Sequence, residues 1–137
     1  MAWILLTALA MNESAEVRRI LVVDDNIDAA QGLAMLLEMK GHEVVTAFDG
    51  PQALEAARDE APDVVLLDIG LPQMDGYEVA RRLRQGPRGQ AMLLVAVTGY
   101  GHERDRQRSI DAGIDHHLLK PVRIEELEGL LERNVPG

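Results

Sequence analysis

Three carboxylates and one ammonium stand out by position. Asp24 and Asp25 close the apolar run Ile20-Leu21-Val22-Val23, and Asp68 closes Val64-Val65-Leu66-Leu67. Thr98 closes a third run, Met92 to Val97, and Lys120-Pro121 closes a fourth, His116 to Leu119. Short runs rich in Val and Leu read as parallel strands buried on both faces. Open α/β sheets place their ligands at the carboxyl ends of such strands. If the strands are neighbours, three acids, a hydroxyl and an ammonium meet at one rim. Acids brought together repel, and they are stable only around a cation or with one of them protonated. Hard oxygen donors with room for water suit Mg²⁺ or Mn²⁺ rather than zinc. A lysine at the same rim can pair with a carboxylate and later with a phosphoryl oxygen. Thr98 offers a hydroxyl to another oxygen, and Gly99 removes side-chain bulk where a phosphoryl group must enter. The expected chemistry is therefore metal-assisted binding of a phosphoryl group.

The elements that must position these residues alternate along the chain. Strands are expected at about 19–23, 43–47, 64–67, 92–97 and 116–119. Helices are expected at about 27–39, from Pro51 to before Pro62, at 76–84, at 103–112 and at 124–132. Ala30, Leu33, Ala34 and Leu37 share one face of the first helix, and Lys40-Gly41 stops it with a cation and a glycine. Leu127, Leu130 and Leu131 share a face of the last. Five strands alternating with five helices give a doubly wound five-stranded parallel sheet with right-handed crossovers.

With 137 residues, 47% of them apolar, the chain suits one domain with one mainly aliphatic core, since aromatics make up only 3%. A net charge of −9 argues against general nucleic-acid binding, which favours a basic face. The absence of cysteine excludes disulfides, thiolate catalysis and cysteine-based zinc sites. Residues 1–11 are almost wholly apolar, yet they lack the basic start of a signal peptide and are too short to cross a bilayer. They read as an artefact of the start site, as the end of an upstream helix, or as an added helix that docks on the domain or on a second copy. The compact domain is expected to span 18–133, after a 17-residue extension and before a tail of 134–137, with no output domain in the sequence.

The motifs together resemble the receiver domain of two-component response regulators, the phosphoacceptor module typified by the bacterial chemotaxis regulator. They are Val-Val-Asp24-Asp25-Asn26, Leu-Leu-Asp68-Ile-Gly-Leu-Pro72-Gln-Met-Asp75-Gly76-Tyr77, Val-Thr98-Gly99-Tyr100 and Leu-Leu-Lys120-Pro121. Each is weak alone; the four in order form a specific set covering about Arg18 to Arg133. Several phrases also resemble receivers fused to hybrid histidine kinases. The resemblance implies a flavodoxin-like strand order 2-1-3-4-5 and a role for each residue. Asp68 would take phosphate from a phosphohistidine. Asp25 and Asp68 would hold Mg²⁺ directly with the Gly70 carbonyl, and Asp24 mainly through metal-bound water. Thr98 and Lys120 would bind phosphoryl oxygens, and a cis Lys120-Pro121 bond would aim the ammonium. Gly70 and Tyr100 would tune phosphoryl lifetime. The switch would run through Thr98 and an aromatic position occupied here by His117, whose imidazole is smaller and can change charge near neutral pH. Partners would be a histidine kinase or a histidine phosphotransfer protein. The surface of helix four, strand five and helix five would serve partners or a homodimer. The setting would be cytoplasmic, with no nucleic acid and no membrane insertion, and the protein would be no enzyme beyond its own phosphorylation and dephosphorylation.

Other readings compete. Asp25 or Asn26 can cap the following helix, and Asp75 suits a turn or cap better than a ligand. His116 and His117 are adjacent on a strand, so they point to opposite faces and cannot share an ion. The groups Arg81-Arg82-Arg84-Arg88 and Arg104-Arg106-Arg108 read as solvated helix faces, and the six methionines read as core filler. A haloacid-dehalogenase-type phosphatase also uses Asp, Mg²⁺ and Lys, but it needs a second acid where Gly70 stands. A dinucleotide-binding module needs a glycine-rich turn where Asp24-Asp25-Asn26 stand. A pseudo-receiver would not need the full set of acids, Thr and Lys.

Overall fold

The computed structural model describes residues 17–71, 75–99 and 106–134. The element order is β1 (Arg19–Val23), α1 (Ile27–Met39), β2 (Glu43–Ala47), α2 (Gly50–Glu60), β3 (Val64–Asp68), α3 (Gly76–Gln85), β4 (Leu93–Thr98), α4 (Arg106–Ala112), β5 (His116–Leu119) and α5 (Ile124–Asn134). All strands are parallel, in the order β2-β1-β3-β4-β5. The doubly wound fold is as expected. The fourth strand is shifted by one residue, because Met92 lies in a turn, where its carbonyl accepts from Arg84 Nη1 at 2.7 Å. The start of the fourth helix at Glu103 lies outside the described residues.

The continuous apolar runs are explained by a sheet covered on both faces. Side chains alternate across the strand, so Leu21, Val23, Val65 and Leu67 pack with α2, α3 and α4. Ile20, Val22, Val64 and Leu66 pack with Ala30 and Leu37 of α1 and with Leu127, Leu130 and Leu131 of α5. Val64, Val65 and Leu67 are fully buried. The three acids therefore project from the end of a rigid double-sided core.

Helix starts are set by local capping. Asn26, Asp49 and Asp75 accept from the backbone N–H of Ala29, Gln52 and Glu78 at 2.8–3.0 Å, satisfying donors that the first turn leaves unpaired. Asp75 thus acts as a cap. Gly41, at φ +97°, follows the end of α1, where a left-handed residue is needed.

Two expectations are corrected. Arg84 does not face solvent. Its guanidinium donates to the carbonyls of Gly113, Gly89 and Met92 and to Asp115 at 2.6–2.9 Å, tying α3, the start of β4 and the turn before β5 together. A planar fork of five donors suits several converging carbonyls, so the pattern of arginines on the helix was a poor guide. Met35 and Met39 are not core filler but lie 62% and 77% exposed on α1, whereas Met92 is buried.

Candidate phosphoacceptor site

The sheet order brings the strand ends together. β1 and β3 are direct neighbours, as are β3 and β4, and then β4 and β5. Their register sets Asp68 opposite Val97 and Thr98 opposite Leu119. The N–H of Lys120 donates to the Thr98 carbonyl at 2.8 Å, which extends the ladder to the lysine itself. Asp24, Asp25, Asp68, Thr98 and Lys120 consequently occupy one rim.

Asp24, Asp25 and Asp68 each offer a carboxylate oxygen, and these atoms lie within 4.8 Å of one another. No other group of three such ligands is found among the described residues, and neither His116 nor His117 joins this one. Asp68 is buried, Asp24 half-buried and Asp25 exposed, so the set is graded from the core to the solvent. Asp68 Oδ1 accepts from the Gly70 N–H at 2.9 Å, and its Oδ2 accepts from Lys120 Nζ at 3.1 Å. Lys120 Nζ also lies 3.7 Å from Asp24 Oδ2. The Lys120-Pro121 peptide is cis. Asp24 Oδ1 accepts from the Asn26 N–H at 2.9 Å.

The electrostatics follow from this crowding. Burial raises the Asp24 pKa above the usual carboxylate value; the Asn26 N–H and Lys120 oppose the rise, and Asp68 adds to it. Burial works against the Lys120 ammonium, but the hydrogen bond and charge of Asp68, helped by Asp24 and Asp25, outweigh it and hold the lysine pKa above its ordinary value. One cation thus serves a surplus of negative charge. An all-oxygen donor set of this kind fits a hard divalent cation.

Space for a ligand is present. A cleft of about 490 Å³ includes Asp24, Asp68 and Lys120 and runs beside Leu36 and Val122. No described atom lies within 4 Å of a Cβ built on Gly99. Gly70 is exposed, and a Cβ there would lie 3.6 Å from Asp68 Oδ1, an ordinary contact. Tyr100 and Pro72 lie outside the described residues. Another cleft, about 570 Å³, runs between α2 and α3, where Arg81 and Arg82 pair with Glu78, and none of Asp24, Asp25 and Asp68 lines it.

Gly76 was read only as part of a motif, but it shapes the site. Its N–H donates to the Ile69 carbonyl at 3.2 Å. A Cβ would stand 2.6 Å from Ile69 Cα and 2.9 Å from the Asp68 carbonyl oxygen. The start of α3 is therefore pressed against the backbone that carries Asp68. Arg108 of α4 reaches the same corner, 3.2 Å from Asp75 and 4.2 Å over the Tyr77 ring. His117 Nε2 lies 2.6 Å from the hydroxyl of buried Ser109.

The fold and the rim of acids define a phosphoacceptor-type α/β module, and comparison with known proteins is in agreement. Residues 20–132 match the response regulator receiver domain family, and the chain belongs to it. It is 38% identical over 122 residues to the response regulator MprA of Mycolicibacterium vanbaalenii, covering 86% of this chain and 52% of that protein. The chain thus spans about half the length of that relative. A 14.6 kDa protein of Leptolyngbya boryana is 37% identical, with 83% of this chain and 87% of that protein covered. Among solved structures, the chemotaxis protein CheY4 of Vibrio cholerae superposes with a TM-score of 0.80 at 30% identity, covering 85% of this chain and 98% of that one. The receiver domain of sensor histidine kinase PA1611 from Pseudomonas aeruginosa, solved with magnesium in its active-site cleft, gives 0.76 at 32% identity over 85% and 96%. The chain is a receiver domain of two-component signalling, and the phosphatase alternative finds no support.

Proposed function

We propose that Asp68 is the phosphoacceptor, taking a phosphoryl group from a phosphohistidine of a histidine kinase or a histidine phosphotransfer protein. The observation that carries this reading is the Asp68 carboxylate, buried at a strand end, with one oxygen 3.1 Å from Lys120 Nζ and two further acids within 4.8 Å. Phosphoryl transfer needs alignment and charge neutralisation more than covalent help. Lys120 offers a cation to the equatorial oxygens, and Thr98 offers a hydroxyl from the adjoining strand. Asp25, Asp68, the Gly70 carbonyl and Asp24 would hold Mg²⁺, or Mn²⁺ as a second choice, which would supply the remaining positive charge. The Asp68 carboxylate oxygen forms the new O–P bond as the donor's P–N bond breaks. The product is an acyl phosphate, open to later attack by water.

The new dianion would draw on Thr98, and His117 would be the aromatic position that responds, altering the surface of α4, β5 and α5 for a partner or a second copy. The unit that does this is residues 18–133, working in the cytoplasm either alone or within a longer kinase. Among the described residues no helix is long and apolar enough to cross a membrane. Incubation with acetyl phosphate and Mg²⁺, followed by intact mass measurement, tests the reading. One phosphoryl adduct is expected, lost in Asp68→Ala and in EDTA. An adduct that survives Asp68→Ala would refute the assignment.

A further inference from the structure

Ser109 lies inside α4 and is 1% exposed. Neither fact favours serine. Alanine is the better residue in a helix interior, and a buried hydroxyl is costly without a partner. The partner stands on the neighbouring strand, where Nε2 of His117 in β5 lies 2.6 Å from the hydroxyl. A hydroxyl both donates and accepts, so this bond suits either tautomer of the ring. The sheet also sets His117 and Thr98 on one face. Side chains alternate along a strand. Val95, Val97 and Leu118 pack on the side of α1 and α5, whereas Leu94 and Ala96 pack on the other side, with Ala112 of α4 and Ile114. Thr98 and His117 therefore belong to the face that α4 covers. The register puts Ala96 opposite His117 and Thr98 opposite Leu119. The side chain directly across from His117 is thus a methyl group, and the next one on that face of β4 is Thr98.

We propose that Ser109 is a positioning residue that holds the His117 ring against α4 and so sets the threshold of the phosphoryl response. The proposal rests on the reading that Asp68 takes the phosphoryl group and that Thr98 and His117 respond to it. Asp68 pairs in register with Val97, the residue before Thr98, so Thr98 stands beside the reacting strand end. A Thr98 side chain drawn toward a new phosphoryl group leaves room next to Ala96. The imidazole enters that room only by giving up its bond to Ser109. The hydroxyl must then find water or stay unpaired. Loss of this bond opposes the response and biases the equilibrium toward the unphosphorylated arrangement by the net strength of one hydrogen bond, a factor of about two to ten. Linkage makes the effect reciprocal: a phosphoryl group releases His117, and a change that frees His117 tightens phosphoryl binding by the same factor.

The full chain is titrated with beryllofluoride and Mg²⁺, which stand in for the bound phosphoryl group, and binding is followed by amide NMR shifts. Ser109→Ala is expected to bind about two- to tenfold tighter than the wild type, with the urea midpoint kept. Ser109→Cys, a weak donor of similar size, serves if alanine perturbs folding. The gain should run through His117. In a His117→Phe background, where the ring cannot bond to the hydroxyl, Ser109→Ala should leave the affinity unchanged. Equal or weaker binding in both Ser109 variants would overturn the proposal. The same gain in the His117→Phe background would do so too, because Ser109 would then act by packing alone. A wild type that does not bind beryllofluoride, or binding that survives Asp68→Ala, would instead overturn the phosphoacceptor reading beneath it.

Discussion

Replacing Asp24 with asparagine should stabilise the metal-free protein, against the usual direction for a partly buried polar residue. The Asp24 carboxylate lies within 4.8 Å of oxygens on both Asp25 and Asp68, and 3.7 Å from the Lys120 ammonium. At an effective dielectric constant of 20, each repulsion amounts to at least about 3.5 kcal/mol and the single attraction to about 4.5 kcal/mol. In the limit of bulk water these fall to about 0.9 and 1.1 kcal/mol. The net repulsion relieved is therefore about 0.6 to 2.4 kcal/mol. Asparagine keeps an oxygen to accept the Asn26 N–H, so the turn into α1 is retained. Urea unfolding without metal should show the gain. Added Mg²⁺ should stabilise the wild type by about 1.4 kcal/mol at ten times its dissociation constant, and the variant by less at the same concentration. A metal-free variant less stable than wild type, or one that gains equally from Mg²⁺, would refute the reasoning.

Three further predictions rest on separate contacts. Gly76→Ala should lose about 1–3 kcal/mol in urea unfolding, because the new methyl group meets Ile69 Cα at 2.6 Å, and it should slow acetyl-phosphate labelling by displacing the backbone of Asp68. Arg84→Met should cost about 3–5 kcal/mol by stranding the carbonyls of Gly113, Gly89 and Met92; Arg84→Lys should restore little, since an ammonium lacks the planar fork, and a loss below about 1 kcal/mol in Arg84→Met would show the network is dispensable. The raised Asp24 pKa has a definite sign: the folded state holds this proton more tightly than the unfolded chain, so the stability it contributes is present at low pH and is lost as pH rises from the unfolded through the raised folded pKa. Mg²⁺ needs the deprotonated form, so calorimetry should find affinity rising over that same interval with release of a proton, and a flat profile would contradict the shift.

The strands and the acids that end them were legible because a sheet buried on both faces imposes unbroken apolar runs, and the first polar residue after such a run marks its rim. The cap at Asn26 and the stop at Lys40-Gly41 were equally readable, since each works within one turn of its own helix. Asp24 and Asp25 were not distinguishable in this way. They are identical neighbours, and only the position of Lys120, 96 residues on from Asp24, directs the ammonium to one of them. Arg84 and Gly76 were missed for the same reason. Arg84 meets carbonyls from two separate loops, and Gly76 meets a backbone that closes on it from an earlier strand. Met35 and Met39 fall off the face of α1 that carries Ala30, Ala34 and Leu37, so helical spacing could have separated them from core methionines.

Periodicity and capping are short-range effects, fixed by side-chain alternation along a strand and by the unpaired groups of a helix turn, and to that extent the amino-acid sequence by itself determined the elements and the chemistry at their ends. The pairing of Lys120 with Asp68, the burial gradient across the three acids and the anchoring of Arg84 were decided by the tertiary structure, because each depends on which strands the sheet sets side by side.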